Sequence, residues 1–277
     1  MRFGGLIFEE WNTPEEWAAA AKRAGYSGVY FPVDYSAPLS LIDGYKSAAD
    51  AADLVVCEIG VWKNTLAPDT AERESAIDYA VHQLELADYI SANCCVNIAG
   101  SYSKVWDGPH PDNFTRRAFD DIVKTTQKII DAVNPKNTCY ALEPMPWMYP
   151  DTPESYLDLI KAIDRTGFGV HIDMVNVINS PGLYYRNSEV IKDWFAILGP
   201  YIRSCHAKDT RLSDDLTVHL DECRPGTGAL DYRTYLECIN QLDENICLML
   251  EHMTEKEDYE EASRYIKGLA REMGIRL

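Results

Sequence analysis

Ile202-Arg203-Ser204-Cys205-His206-Ala207-Lys208-Asp209 starts as an apolar, strand-like run and ends on an imidazole, an ammonium and a carboxylate. The arrangement recurs in Ala141-Leu142-Glu143-Pro144, His171-Ile172-Asp173-Met174 and Leu250-Glu251-His252. One acid at the end of one strand is ordinary. Glu, Asp, His and Glu at the ends of successive strands in one strand–helix rhythm are what a closed parallel barrel would gather at its C-terminal rim around a divalent cation.

The rhythm extends through the whole chain. Strand-like runs are expected at 3–8, 28–33, 55–62, 94–99, 138–142, 168–172, 202–205 and 246–250, with amphipathic helices between them. Asn12-Thr13-Pro14-Glu15-Glu16 opens the first helix, which runs to Gly25: Asn or Thr caps, Pro suits the first turn and acids favour the positive end of the dipole. Further helices are expected at 43–53, 70–91, 113–133, 152–166, 188–198, 231–242 and 257–272. Several strands are apolar at consecutive positions, as parallel strands covered by helices are. An open doubly wound sheet would share that signature, but eight units favour closure, and no Gly-rich dinucleotide fingerprint follows the first strand. The expectation is one (β/α)8 TIM barrel domain over 1–277, with its active site at the C-terminal strand ends.

Composition narrows the function. No apolar run approaches a membrane span, and the first residues lack a secretory signature, so a soluble cytoplasmic protein is expected. Six of the eight cysteines, Cys57, Cys94, Cys95, Cys139, Cys205 and Cys247, fall in apolar strand-like segments and read as reduced, buried thiols. The formal charge of −18 disfavours nucleic acid as a partner. Self-association into a homo-oligomer is left open.

Three carboxylates and one imidazole suit manganese first, with magnesium, cobalt and zinc as alternatives, and leave positions free for a substrate. Each residue alone also has a plain structural explanation: Glu143 as a strand-end acid, Asp173 as a cap for the next turn, His206 as a hydrogen-bonded core histidine. Their joint placement makes the site. The order Glu, Asp, His, Glu, the string His206-Ala207-Lys208-Asp209 and the later Pro225-Gly226-Thr227-Gly228-Ala229-Leu230-Asp231-Tyr232 resemble the sugar phosphate isomerase/epimerase superfamily, the xylose-isomerase-like barrels. The resemblance spans essentially the whole chain. It implies that Glu143, Asp173, His206 and Glu251 bind one cation, and that Glu143 and Glu251 flank a small carbohydrate substrate as acid and base.

Such a pair can remove a proton beside a carbonyl, through an enediolate, and return it to the opposite face or to the neighbouring carbon. Epimerisation and isomerisation differ only in that return; β-elimination from a 3-keto-glycoside would share the first step. Ketose 3-epimerases have a histidine three residues after the aspartate ligand, where this chain has Asn176, and an acidic substrate contact after the first glutamate, where it has Met145-Pro146-Trp147-Met148-Tyr149. Endonuclease IV-type relatives need additional histidines where this chain has Trp62, Asn97 and Asn176, which argues against phosphodiester cleavage. A non-catalytic sugar-binding barrel is the alternative from another class, opposed by the complete ligand set. Trp62, Asn97, Trp147 and Asn176 are expected to contact substrate, together with Lys208, Arg211 and His219 from the charged loop after the seventh strand.

Overall fold

The computed structural model describes all 277 residues. Strands β1 (Arg2–Gly4), β2 (Gly28–Tyr30), β3 (Val55–Gly60), β4 (Cys94–Asn97), β5 (Tyr140–Leu142), β6 (Phe168–Ile172) and β7 (Ile202–Ala207) follow one another with helices between them. A two-stranded antiparallel hairpin, β8 (Asp209–Leu212) and β9 (Leu220–Cys223), then precedes the last barrel strand, β10 (Cys247–Leu250). The eight barrel strands pair in parallel in the order β1-β10-β7-β6-β5-β4-β3-β2. Between β1 and β2 the wall is drawn together by Ser27 N donating to Phe3 O at 2.9 Å and Phe3 N to Ser27 Oγ at 3.0 Å. The result is a nearly closed (β/α)8 barrel.

The covering helices are α1 (Pro14–Arg23), α2 (Leu39–Ala51), α3 (Thr70–Ile90), α4 (Arg116–Val133), α5 (Pro153–Ile163), two single turns α6 (Met174–Val177) and α7 (Pro181–Tyr184), then α8 (Asn187–Leu198), α9 (Tyr232–Asn240) and α10 (Lys256–Glu272). Thr13, Asp69, Thr115, Thr152 and Asp231 each accept a first-turn N–H, so the starts of five helices are fixed by short polar side chains. Each strand falls where the sequence places it. Most are shorter than expected because backbone pairing ends before the apolar run does; Leu6 and Phe8, expected in the first strand, lie beyond it and are exposed.

Two expectations are corrected. The stretch after the seventh strand, read as a charged loop, contains the β8–β9 hairpin. Cys57 and Cys247, read as reduced thiols, form a disulfide joining β3 to β10, because the barrel brings their Cα atoms to 5.7 Å. Cys94, Cys95, Cys139 and Cys205 are buried free thiols, and burial raises the pKa of each. No helix is long and apolar enough to cross a membrane.

Candidate metal centre

Glu143, Asp173 and Glu251 each follow the last residue of their strands β5, β6 and β10, and His206 is the penultimate residue of β7. Parallel pairing therefore delivers all four to one level, where their donor atoms lie within 4.8 Å of one another. His206 Nδ1 is 2.9 Å from Glu251 Oε2, 3.6 Å from Glu143 Oε1 and 3.8 Å from Asp173 Oδ2. Asp173 Oδ1 caps α6 by accepting from Val175 N at 2.9 Å, while Oδ2 faces the cluster.

Three of the converging atoms, Asp173 Oδ2, His206 Nδ1 and Glu251 Oε2, are buried and make no hydrogen bond. Orphaned buried donors and acceptors cost roughly 1–3 kcal/mol each, so three aimed at one point call for a shared partner. A divalent cation fits that set, with oxygen from three carboxylates and nitrogen from one neutral imidazole. Lys208 Nζ also enters the cluster, 2.8 Å from Asp173 Oδ2 and 2.9 Å from Glu251 Oε2, without the alignment of a hydrogen bond. Its charge offsets part of the negative charge of the acids.

The two glutamates are electrostatically unequal. Burial pushes Glu143 up to about 7 against the pull of His206. Burial raises Glu251 as well, but His206 and Lys208 at shorter range more than reverse it and hold the carboxyl below its ordinary range. Asp173 is likewise held low, burial being outweighed by Lys208 and His206. At Lys208 the surrounding carboxylates overcome burial and keep the ammonium protonated.

The string around Lys208 and the glycine-rich motif downstream form one local device. Asp209 accepts backbone N–H bonds from Thr210, Gly226, Gly228 and Leu230 at 2.8–3.0 Å. At Gly228 a Cβ would stand 2.3 Å from Asp209 Oδ1, so only glycine allows this approach. One helical turn apart on α9, Tyr235 OH donates to His206 O at 2.9 Å and Tyr232 OH to Lys208 O at 2.7 Å. The motif thus fixes the end of β7 and the two side chains that enter the cluster.

The remaining sequence candidates separate into groups. Asn176 Nδ2 donates to Glu143 Oε1 at 2.8 Å, within the site. Trp62 and Trp147 stand at the rim, each 37% exposed. The Trp62 indole lies back over β3, where a Cβ at Gly60 would be 2.1 Å from its Nε1, and Trp147 Nε1 donates to Asp107 O at 2.6 Å. Asn97, expected to face substrate, is fully buried: Oδ1 accepts from Lys63 N, and Nδ2 donates to Lys63 O and Tyr140 OH. It clamps the loop that carries Trp62. Arg211 and His219 are exposed on the hairpin and form no ion pair with the cluster.

Four residues escaped the sequence reading. Glu222 on β9 comes within 3.7 Å of Lys208 Nζ. His252 stands between Glu222 Oε2 at 3.2 Å and Glu251 Oε1 at 3.4 Å, and its backbone is left-handed with φ 60°. Beneath the cluster lie Glu58 on β3 and His171 on β6. An acid so near Lys208 could have been sought in the charged stretch that follows it, but Glu58 comes after Val55-Val56-Cys57 with no motif to mark it.

Among solved structures, a D-tagatose 3-epimerase-like protein is 18% identical with a TM-score of 0.73, the alignment covering 99% of this chain and 98% of that one. D-psicose 3-epimerase from Clostridium cellulolyticum is 12% identical with a TM-score of 0.71 over 100% of both chains. Endonuclease IV from Thermus thermophilus fits as well, at 12% identity and a TM-score of 0.72 over 98% of this chain and 100% of that one. At such identities the likeness speaks for the fold alone. No curated protein matches the sequence. The model of the xylose isomerase-like TIM barrel matches residues 18–269, and the chain belongs to that family.

Proposed function

We propose that the chain is a divalent-metal-dependent isomerase or epimerase of a small carbohydrate or polyol-derived ketone, acting by removal of a proton next to a carbonyl. The observation that carries this reading is the convergence of Asp173 Oδ2, His206 Nδ1 and Glu251 Oε2, none of which makes a hydrogen bond, on one point beside Glu143. Glu143, Asp173, His206 and Glu251 would hold the cation, with Mn2+ the first choice and Mg2+, Co2+ or Zn2+ compatible with the same donors. When bound, a divalent cation supplies the Lewis acidity that makes a C–H beside a carbonyl acidic enough to lose its proton.

The protein's own groups account for the proton. Glu143 and Glu251 enter from walls three strands apart, as a pair serving opposite sides of one substrate would. One takes the proton from carbon and the other returns a proton to the opposite face, giving epimerisation, or to the neighbouring carbon, giving isomerisation. Lys208, paired with Glu251, would stabilise negative charge on a substrate oxygen, and Asn176 would hold Glu143 in position by its amide. Trp62 and Trp147 offer apolar faces at the rim for a sugar ring. The −18 charge favours such a substrate over nucleic acid.

The test is solvent-deuterium exchange, read by NMR and mass spectrometry, on ketoses, inososes and 3-keto-glycosides with and without Mn2+. Metal-dependent deuterium incorporation beside the carbonyl is expected, and the rearranged product identifies the outcome. No exchange from any of them by the folded, metal-loaded protein would reject proton abstraction from these classes.

A further inference from the structure

Directly under the cluster, Glu58, His171, Ser204 and His206 form a polar layer with no solvent access, the four residues being 0–2% exposed. Burying a carboxylate there is costly unless it is hydrogen-bonded to a purpose. Glu58 Oε1 lies 3.0 Å from His206 Nε2, and Ser204 Oγ donates to Glu58 Oε2 at 3.0 Å. The His171 ring stands edge-on to His206 with centroids 4.0 Å apart, closing the other side. We infer that Glu58 is a positioning residue: it holds the proton of His206 on Nε2 and so presents the Nδ1 lone pair to the cation site. The inference rests on the proposed metal-binding reading of Glu143, Asp173, His206 and Glu251.

A neutral imidazole carries one N–H. With that proton on Nδ1, the Nε2 lone pair would face the Glu58 carboxylate, and the cluster would lose its only nitrogen donor. With the proton on Nε2, Nε2–H meets the Glu58 carboxylate, and the Nδ1 lone pair is left free for a cation at the point to which Asp173 Oδ2 and Glu251 Oε2 also turn. Ser204 occupies the second oxygen of Glu58 and so keeps Oε1 for the histidine. The chain Ser204, Glu58, His206 therefore sets the donor that the cation would meet, from a residue that is itself buried.

The experiment is a Mn2+ titration of the chelator-stripped full chain, followed by electron paramagnetic resonance, for the wild type, Glu58→Gln and Glu58→Leu. In parallel, 15N-histidine NMR of the Mg2+-loaded protein reports which ring nitrogen of His206 carries the proton. Gln keeps an oxygen acceptor without the charge and is expected to weaken Mn2+ binding about 10-fold; Leu, with no acceptor, about 100-fold, with loss of the Nε2–H signature. Wild-type affinity in a folded Glu58→Leu would overturn the inference; if that variant does not fold, wild-type affinity in Glu58→Gln would do the same. Two ions per wild-type chain, one lost in both Glu58→Leu and His171→Ala, would overturn it by making the lower layer a metal site of its own. A wild type that binds no divalent ion rejects the metal reading itself, which distinguishes that failure from this one.

Discussion

At the N-terminal end of the strands is a cavity of about 1230 Å³ whose lining includes Asn93, Thr138, Lys192, Arg203 and Asp243. At the C-terminal end, four side chains crowd within 4.8 Å. The lower cavity is roomy, yet two polar side chains in its wall are occupied: Arg203 Nη1 donates to Pro200 O and Ile202 O, and Asn93 Nδ2 to Asn245 O, leaving the neutral Thr138 Oγ1 as the buried atom without a partner. The upper cluster is cramped, yet it has two carboxylate oxygens and a ring nitrogen unspent. On the proposed reading, unsatisfied chemistry marks the functional end of this barrel, and volume does not.

The sharpest way to break that comparison is to remove an acid from the upper end. Glu143→Gln and Glu251→Gln should each slow deuterium exchange into a turned-over ketone by about 10²–10⁴-fold, the usual worth of a positioned acid or base, with the circular dichroism spectrum unchanged. Wild-type exchange in either variant would remove that residue from the proton-transfer pair. Next in size, Lys208→Met leaves buried carboxylates without their internal cation and should cost the metal-free protein about 3–5 kcal/mol in urea unfolding, with added Mn2+ recovering more stability in the variant than in the wild type. A metal-free variant as stable as the wild type would show that the ammonium does not neutralise the cluster.

A smaller effect is expected where the motif only supports the site. Asp209→Asn turns an amide towards backbone donors that need an acceptor, and should cost about 1–3 kcal/mol, again by urea unfolding. Smallest is a change at the opposite end. Lys192→Ala, in the lower cavity, should leave exchange unaltered and stability within about 0.5 kcal/mol. A large loss of exchange there would mean the lower cavity contributes to the reaction.

The barrel and its upper cluster were legible because both are written locally: an apolar run sets each strand, and the residue that follows it inherits a place on the rim. Glu143, Asp173, His206 and Glu251 could each be put at a strand end from its own stretch of chain, and their recurrence together suggested a site. Asn97 shows the limit of that logic, since a polar residue at a strand end reads the same whether it faces a substrate or clamps a neighbouring backbone. Lys208 and Arg211 lie three residues apart in one charged stretch; Lys208, directly after the ligand strand, enters the cluster, and Arg211, on β8, is exposed. Glu58 and the Cys57–Cys247 pair were invisible because their partners lie 148 and 190 residues away, at distances set only when the sheet curls shut.

An anomalous-scattering map from a crystal soaked in Mn2+ tests the contrast between the two ends most directly. A single peak among Glu143, Asp173, His206 and Glu251, absent after soaking in chelator, is the predicted result. A peak in the lower cavity, or none at the four ligands in a crystal that has taken up manganese, would contradict it.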